Sequence, residues 1–202
     1  MEEQLMVERR RGKNLESAIL SVVWSELQNI GYQSLTISDI AKKAKTNKNT
    51  VYRHWKSKPE LVFAAIQQHI PDVSLEAPNT GNIEEDLKAV LGFLTPILDV
   101  VSKETWKQLL PEALLVFSTN DNYVNGLVKA INESNLITLQ IKKVIEQAKK
   151  RHEHVRSNIT DDQLALPALL VINQILFSGT LTQSKINSLV KEILIPVYIE
   201  PA

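Results

Sequence analysis

The sequence contains no cysteine, which excludes disulfides, thiolate metal sites and a cysteine nucleophile, and fits a reducing compartment. Glycine is scarce too, at six residues in 202, and no glycine-rich phosphate loop is present. Gly-x-Ser-x-Gly and His-Glu-x-x-His are both missing. Nothing here points to an enzyme, and no cofactor or metal is expected. Residues 1–11 place acids and arginines where a signal peptide would need an apolar core. The most apolar stretch, 164–177, holds Pro167, Asn173 and Gln174 and falls short of the roughly 20 residues that span a membrane. A soluble, cytoplasmic protein without a membrane partner is expected.

Net charge is also lacking, with 23 Lys/Arg against 23 Asp/Glu, but its distribution is uneven. Residues 1–70 hold 11 basic and 7 acidic residues, and the remainder 12 and 16. Between Thr36 and Lys58 stand seven basic residues (Lys42, Lys43, Lys45, Lys48, Arg53, Lys56, Lys58) and a single acid, Asp39. Such a field attracts phosphate. A solvated lysine-rich face is the plainer alternative for a charge run taken alone.

Helical periodicity fills the chain. Leu15, Ala18, Ile19, Val22, Val23, Leu27 and Ile30 form one apolar stripe over 13–30, with Gly31 where a left-handed cap would end it. Thr36 can cap a short helix running to Ala44, and Asn47 one over 48–54. Ser57 and Glu60 form a capping box, with Pro59 in the first turn, for a helix through Ile70. These elements read as two short helices joined by a tight turn, the arrangement that lays its second helix in the major groove of DNA.

Pro71, Pro78, Asn79 and Gly81 mark a joint. The expected organisation is a flexible arm over 1–12, a helix-turn-helix DNA-binding bundle over 13–70 and a larger helical domain over 71–202, all-α throughout. In the latter, Ile83, Leu87, Val90, Leu91, Leu94 and Leu98 predict a helix kinked at Pro96, with further helices over 109–117 and 127–145. Residues 164–181 are apolar on nearly every side, and Ile186, Leu189, Val190, Ile193, Leu194 and Val197 supply another stripe. The last two helices, about 161–198, suit a homodimer interface of four helices, and equally an intrachain core.

Gly31-Tyr32, Leu35-Thr36, Ile40-Ala41, Ala44, Thr50-Val51-Tyr52-Arg53-His54-Trp55 and Ser57-Lys58-x-Glu60-Leu61 resemble the DNA-binding domain of the TetR family of bacterial transcriptional regulators, in order and spacing, over about 13–66. The family's usual Gly-Val turn is here Lys45-Thr46, which places lysine where positive φ is favoured and a hydroxyl where valine is buried. The resemblance implies that Thr36, Tyr52, His54 and Lys58 contact the DNA backbone. It also implies that Ser38, Lys48, Asn49 and Thr50, with Arg53 beside them, reach base edges. Chemistry agrees: lysine can donate to guanine and asparagine can bridge adenine, whereas phosphate contacts only set register. Helix N-termini near Thr36 and Ser57 would add anion-binding amides.

Plainer roles stand beside these. Thr36 and Ser57 can be caps alone, and Tyr52 can be packing; Val51 and Trp55 belong to the core. His54 has no complement of metal ligands nearby. Arg9, Arg10 and Arg11 can form a minor-groove arm or a solvated tail. The resemblance over the C-terminal half is carried by 148–153 and Asp161-Asp162. It implies a small-molecule effector held among helices between about 84 and 157, with Trp106, Phe117 and Tyr123 as pocket candidates or ordinary core. His152 and His154 read as a solvated helix end rather than a zinc site. The implied function is a homodimeric regulator, a repressor released from a palindromic double-stranded operator by its effector and associated with the nucleoid when bound. An architectural or protein-interaction factor with the same DNA-binding domain and no effector is the alternative.

Overall fold

The computed structural model describes residues 2–71, 76–118 and 136–201, and the side chains among them except at 2–13 and 116–118. It is all-α. Two compact units emerge, one of Met1–Ile70 with Gln108–Val116, the other of Pro71–Lys107 with Phe117–Ala202.

In the first unit α1 spans Glu2–Ser34, with non-helical geometry at Gly31 (φ 75°, ψ 171°). Gly31 does adopt positive φ, but its ψ is far from the left-handed helical value, so it breaks the helix rather than capping it. The helix begins well before residue 13, because Glu, Gln, Leu, Met and Arg, all good helix formers, fill most of 2–11. Its buried face is Ile19, Leu20, Val23, Glu26 and Leu27, and Ile30 is 47% exposed, contrary to the stripe read from sequence. Glu26 is admitted because Lys43 pairs with it at 2.6 Å. Ala18 likewise faces outward.

Three short helices follow: α2 (Ile37–Lys43), α3 (Lys48–His54) and α4 (Lys58–Gln67). Each starts where its cap predicts, with amides donating to Thr36 Oγ1 (3.2 Å), Asn47 Oδ1 (2.8 Å) and Ser57 Oγ (3.2 Å). Glu60 closes its box one residue early, accepting from the Lys56 amide at 2.6 Å instead of from Ser57. The helix α4 ends at Gln67, short of Ile70. Against α1 pack α2 and α4, and α2 packs on α3. Tyr32, Leu35, Ile40, Val51, Leu61, Val62 and Ala65 are nearly sealed between them. This burial sets the angle of α3.

The second unit contains α5 (Ile83–Gly92), α6 (Thr95–Leu98), α8 (Leu136–Lys150) and α9 (Asp161–Ser178). Between α6 and α8 in the chain lies α7 (Lys103–Ser118), whose residues are divided between the units. The expected kink at Pro96 is instead a break: α5 ends at Gly92 and Pro96 lies in the first turn of α6, where its missing N–H is harmless. Then α10 (Gln183–Ser188) runs through a π-helical segment, Leu189–Leu194, into α11 (Ile195–Tyr198). The Ile195 amide reaches back to Val190 O. Pro196 accounts for this wider register, since it offers no N–H to continue the α pattern. Both α9 and α5 pack on α8, burying Leu87, Val90, Ile141, Val144, Ala168 and Val171. The face of α9 bearing Leu169 and Phe177 is exposed, at 45% and 76%, so α9 is not enclosed on all sides within one chain.

Candidate nucleic-acid interface

The turn between α2 and α3 is built from backbone bonds. Lys45 N–H donates to Lys42 O (3.2 Å) and Thr46 N–H to Ala41 O (2.9 Å), the paired bonds of a Schellman motif. That motif needs a left-handed residue, and Lys45 supplies it at φ 52°. The turn is therefore regular despite its sequence, and Thr46 is only half-buried. His152 ends α8 in the same way at φ 60°, with His152 and Glu153 amides on Lys149 and Ala148 carbonyls.

Along α3, Val51 and Trp55 face the core, while Lys48, Asn49, Tyr52 and Arg53 are exposed. These four occupy i, i+1, i+4 and i+5, one continuous outward face. The Lys48 ammonium lies 5.7 Å from the Tyr52 ring centroid, leaving Tyr52 exposed rather than packed away. Thr50 is half-buried, and its hydroxyl is 3.1 Å from Asn47 Oδ1, which already receives the Thr50 amide. Lys56 turns its ammonium back onto the Tyr52 and Arg53 carbonyls at 3.3 and 3.4 Å, complementing the C-terminal end of α3.

Thr36 and Ser38 lie exposed at the start of α2. The Thr36 hydroxyl donates to Asp39 Oδ2 at 2.6 Å, so a phosphate would have to win that proton from a carboxylate. The N-terminus of α2 thus carries its own anion, which the sequence-derived anion site did not take into account. His54 is half-buried, with Nδ1 2.8 Å from Glu16 of α1. Among the described residues, one of the seven basic side chains, Lys43, is taken up in an ion pair, Lys56 is turned back onto α3 and Lys58 is half-buried, so the freely exposed field is Lys42, Lys45, Lys48 and Arg53, less dense than the seven basic residues suggest.

Lys58 is half-buried. Its ammonium is 4.1 Å from the Tyr32 ring centroid and 3.5 Å from Gln33 O. Burial lowers its pKa, and the Glu112 carboxylate acts in the opposite direction. Tyr32, itself pushed upward first by burial and then by Glu112, donates its hydroxyl to Glu112 Oε2 at 2.5 Å. Glu112 belongs to the Gln108–Val116 stretch of the same unit. No local motif could have revealed it, since 80 residues separate Glu112 from Tyr32.

Of the pocket candidates, Trp106 is 6% exposed and donates its indole N–H to Leu98 O at 2.7 Å, a core tryptophan's geometry. Tyr123 and the Phe117 side chain lie outside the described residues. Two open clefts of the second unit, about 630 and 660 Å³, include Glu84, Glu153 and His154 in one and Lys88, Phe93 and Gln183 in the other, and neither includes Trp106. His152 and His154 are exposed, and the described residues contain no cluster of three or more His, Cys, Asp or Glu arranged for a metal.

The family model for bacterial regulatory proteins of the tetR family matches residues 19–65, the segment whose geometry has just been given. An uncharacterized HTH-type transcriptional regulator of Mycobacterium tuberculosis is 31% identical over 183 residues, covering 90% of this chain and 86% of that protein. The chain belongs to the TetR family. Within the family, the DNA-binding transcriptional repressor TetR of Mycobacteroides abscessus is 34% identical over 84 residues, covering 42% of this chain and 44% of that one. A solved structure of a protein from Saccharomonospora viridis in complex with choline shares the fold, with TM-score 0.55 and 15% identity over 94% of this chain and 100% of that one. A TetR-family chain is a DNA-binding transcriptional regulator, and among the described residues no helix is long and apolar enough to cross a membrane.

Proposed function

We propose that this regulator is a homodimeric repressor that binds a palindromic operator and leaves it when a small-molecule effector changes the separation of its two recognition helices. The observation that carries the reading is the outward face of α3, where Lys48, Asn49, Tyr52 and Arg53 stand together while Val51 and Trp55 lock the helix from behind. Lys48, Asn49 and Arg53, with Ser38, read base edges; Tyr52, His54, Lys58 and Thr36 hold the backbone. Thr50 is the weakest reader, because its hydroxyl is already turned to the Asn47 cap.

The dimer reading rests on α9, whose Leu169, Asn173 and Phe177 share one face at i, i+4 and i+8, with both apolar members exposed. Covered by a second copy, that face would set two recognition helices about 34–36 Å apart, or a multiple, to enter successive major grooves. The repressor relative supports repression, and the choline-bound neighbour supports only that this fold has room for a small molecule. Binding of the purified chain to duplex DNA, measured for single alanine variants, tests the division of labour. Tyr52→Ala and His54→Ala are expected to weaken all sequences alike, and Asn49→Ala to relax one base position by about 1–3 kcal/mol. A change of base preference with Tyr52→Ala would remove it from the clamps.

A further inference from the structure

From the contacts around Tyr32 we infer that Glu112, outside the helix-turn-helix segment, is a positioning residue for DNA binding: tethered by the Tyr32 hydroxyl, it holds a counter-charge beside Lys58 that phosphate must displace or outcompete. The inference rests on the reading of Lys58 as a backbone contact. Three observations meet here. The Tyr32 hydroxyl is fixed to Glu112 Oε2 at 2.5 Å, the Lys58 ammonium lies 4.1 Å from the centroid of that same ring, and one of its N–H groups points inward to Gln33 O. Tyr32 is only 2% exposed, so the donor end of the tether is fixed in the packed unit, while Glu112 at its other end is exposed and keeps its charge within reach of solvent and of an approaching phosphate.

Electrostatics then fixes the sign. Glu112 and Lys58 both meet the Tyr32 side chain, one at its hydroxyl and the other over its ring, so the carboxylate draws the ammonium inward, and the direction of its effect on the Lys58 pKa agrees. A DNA phosphate approaching Lys58 meets an ammonium already partly neutralised and a carboxylate that repels it. Under intermediate screening, one charge within about a Debye length changes an association constant by roughly three- to tenfold at low salt. Glu112 therefore weakens the wild-type grip on DNA, and movement of the Gln108–Val116 segment would change that grip without altering any residue of α3.

The test is a double-mutant cycle on the full chain, titrated with a mixed-sequence DNA duplex over a range of salt. Glu112→Gln keeps an acceptor for Tyr32 but removes the charge, and is expected to bind about three- to tenfold more tightly at low salt, the gain fading as salt rises. In a Lys58→Met background the same change should give little or no gain. Equal gain in both backgrounds, or none in either, overturns the inference. Separately, Lys58→Met alone should lower the slope of log affinity against log salt by about one, and an unchanged slope would show that the clamp reading of Lys58 has failed. Should Glu112→Gln lose its fold by circular dichroism, Tyr32→Phe, which cuts the tether and keeps the ring, should show a Lys58-dependent gain, and its absence would count equally against the inference.

Discussion

Lys45 occupies a conformation that disfavours every side chain with a Cβ, at φ 52° in a Schellman turn. Replacing it with glycine should stabilise the chain by about 0.5–1 kcal/mol, read as a higher denaturant midpoint at unchanged slope. A lower midpoint would mean that the lysine side chain contributes more than its backbone strain removes. At this scale the sequence was legible wherever a residue acts on neighbours three or four positions away. The caps Thr36, Asn47 and Ser57 lie where spacing predicts, because their partners are amides of the following turn. Residues whose partners lie far along the chain were not legible: Lys58 over Tyr32, Tyr32 on Glu112, His54 on Glu16, Lys43 on Glu26. Thr36 illustrates the mixed case, its capping role plain in sequence and its donation to Asp39 evident only in three dimensions.

At the scale of elements, two junctions of the second unit carry unusual demands. Arg151, just beyond α8, bonds Asp86 Oδ2 at 2.7 Å, Glu153 at 2.8 Å and Asn79 at 2.5 Å. Asp86 is fully buried and also accepts from the Thr80 amide and hydroxyl. Arg151→Ala should therefore destabilise the chain by roughly 3 kcal/mol, as a stranded buried carboxylate does, and Asp86→Asn in the same chain should recover part of the loss in urea unfolding. The other junction is Gly179, which ends α9 at φ 71° and packs so closely that a Cβ there would overlap the Lys103 carbonyl. Gly179→Ala should lower stability by about 2 kcal/mol or more, through strain and collision together; a neutral substitution would show that the α9 terminus can relax. Helix existence was readable from apolar spacing, but ends were less so. Gly92 and Pro96 together stop and restart a helix that periodicity alone joins, and Ile30 turns outward because the buried face of α1 centres on Ile19, Val23 and Leu27.

For the whole molecule, zero net charge conceals a division between a basic first part and an acidic remainder; the former lies in the unit that carries the helix-turn-helix, joined there by Gln108–Val116 alone from the remainder. Affinity for any duplex should fall steeply with salt, since phosphate contacts release counterions, and a flat salt response would remove Lys58 and the other basic side chains of this unit from contact with phosphate. The proposed dimer rests separately on the exposed Leu169 and Phe177 of α9, whose apolar character is plain in the sequence but could not there be assigned to a core or to a second copy. The central claim, sequence-specific recognition by a symmetric pair of α3 helices, is tested most directly by selecting bound duplexes from a random DNA pool with the full chain. A palindrome with half-site centres about 10 to 10.5 base pairs apart, or a multiple, is expected. Enrichment of no sequence, or of an isolated half-site without a symmetric mate, would contradict the account.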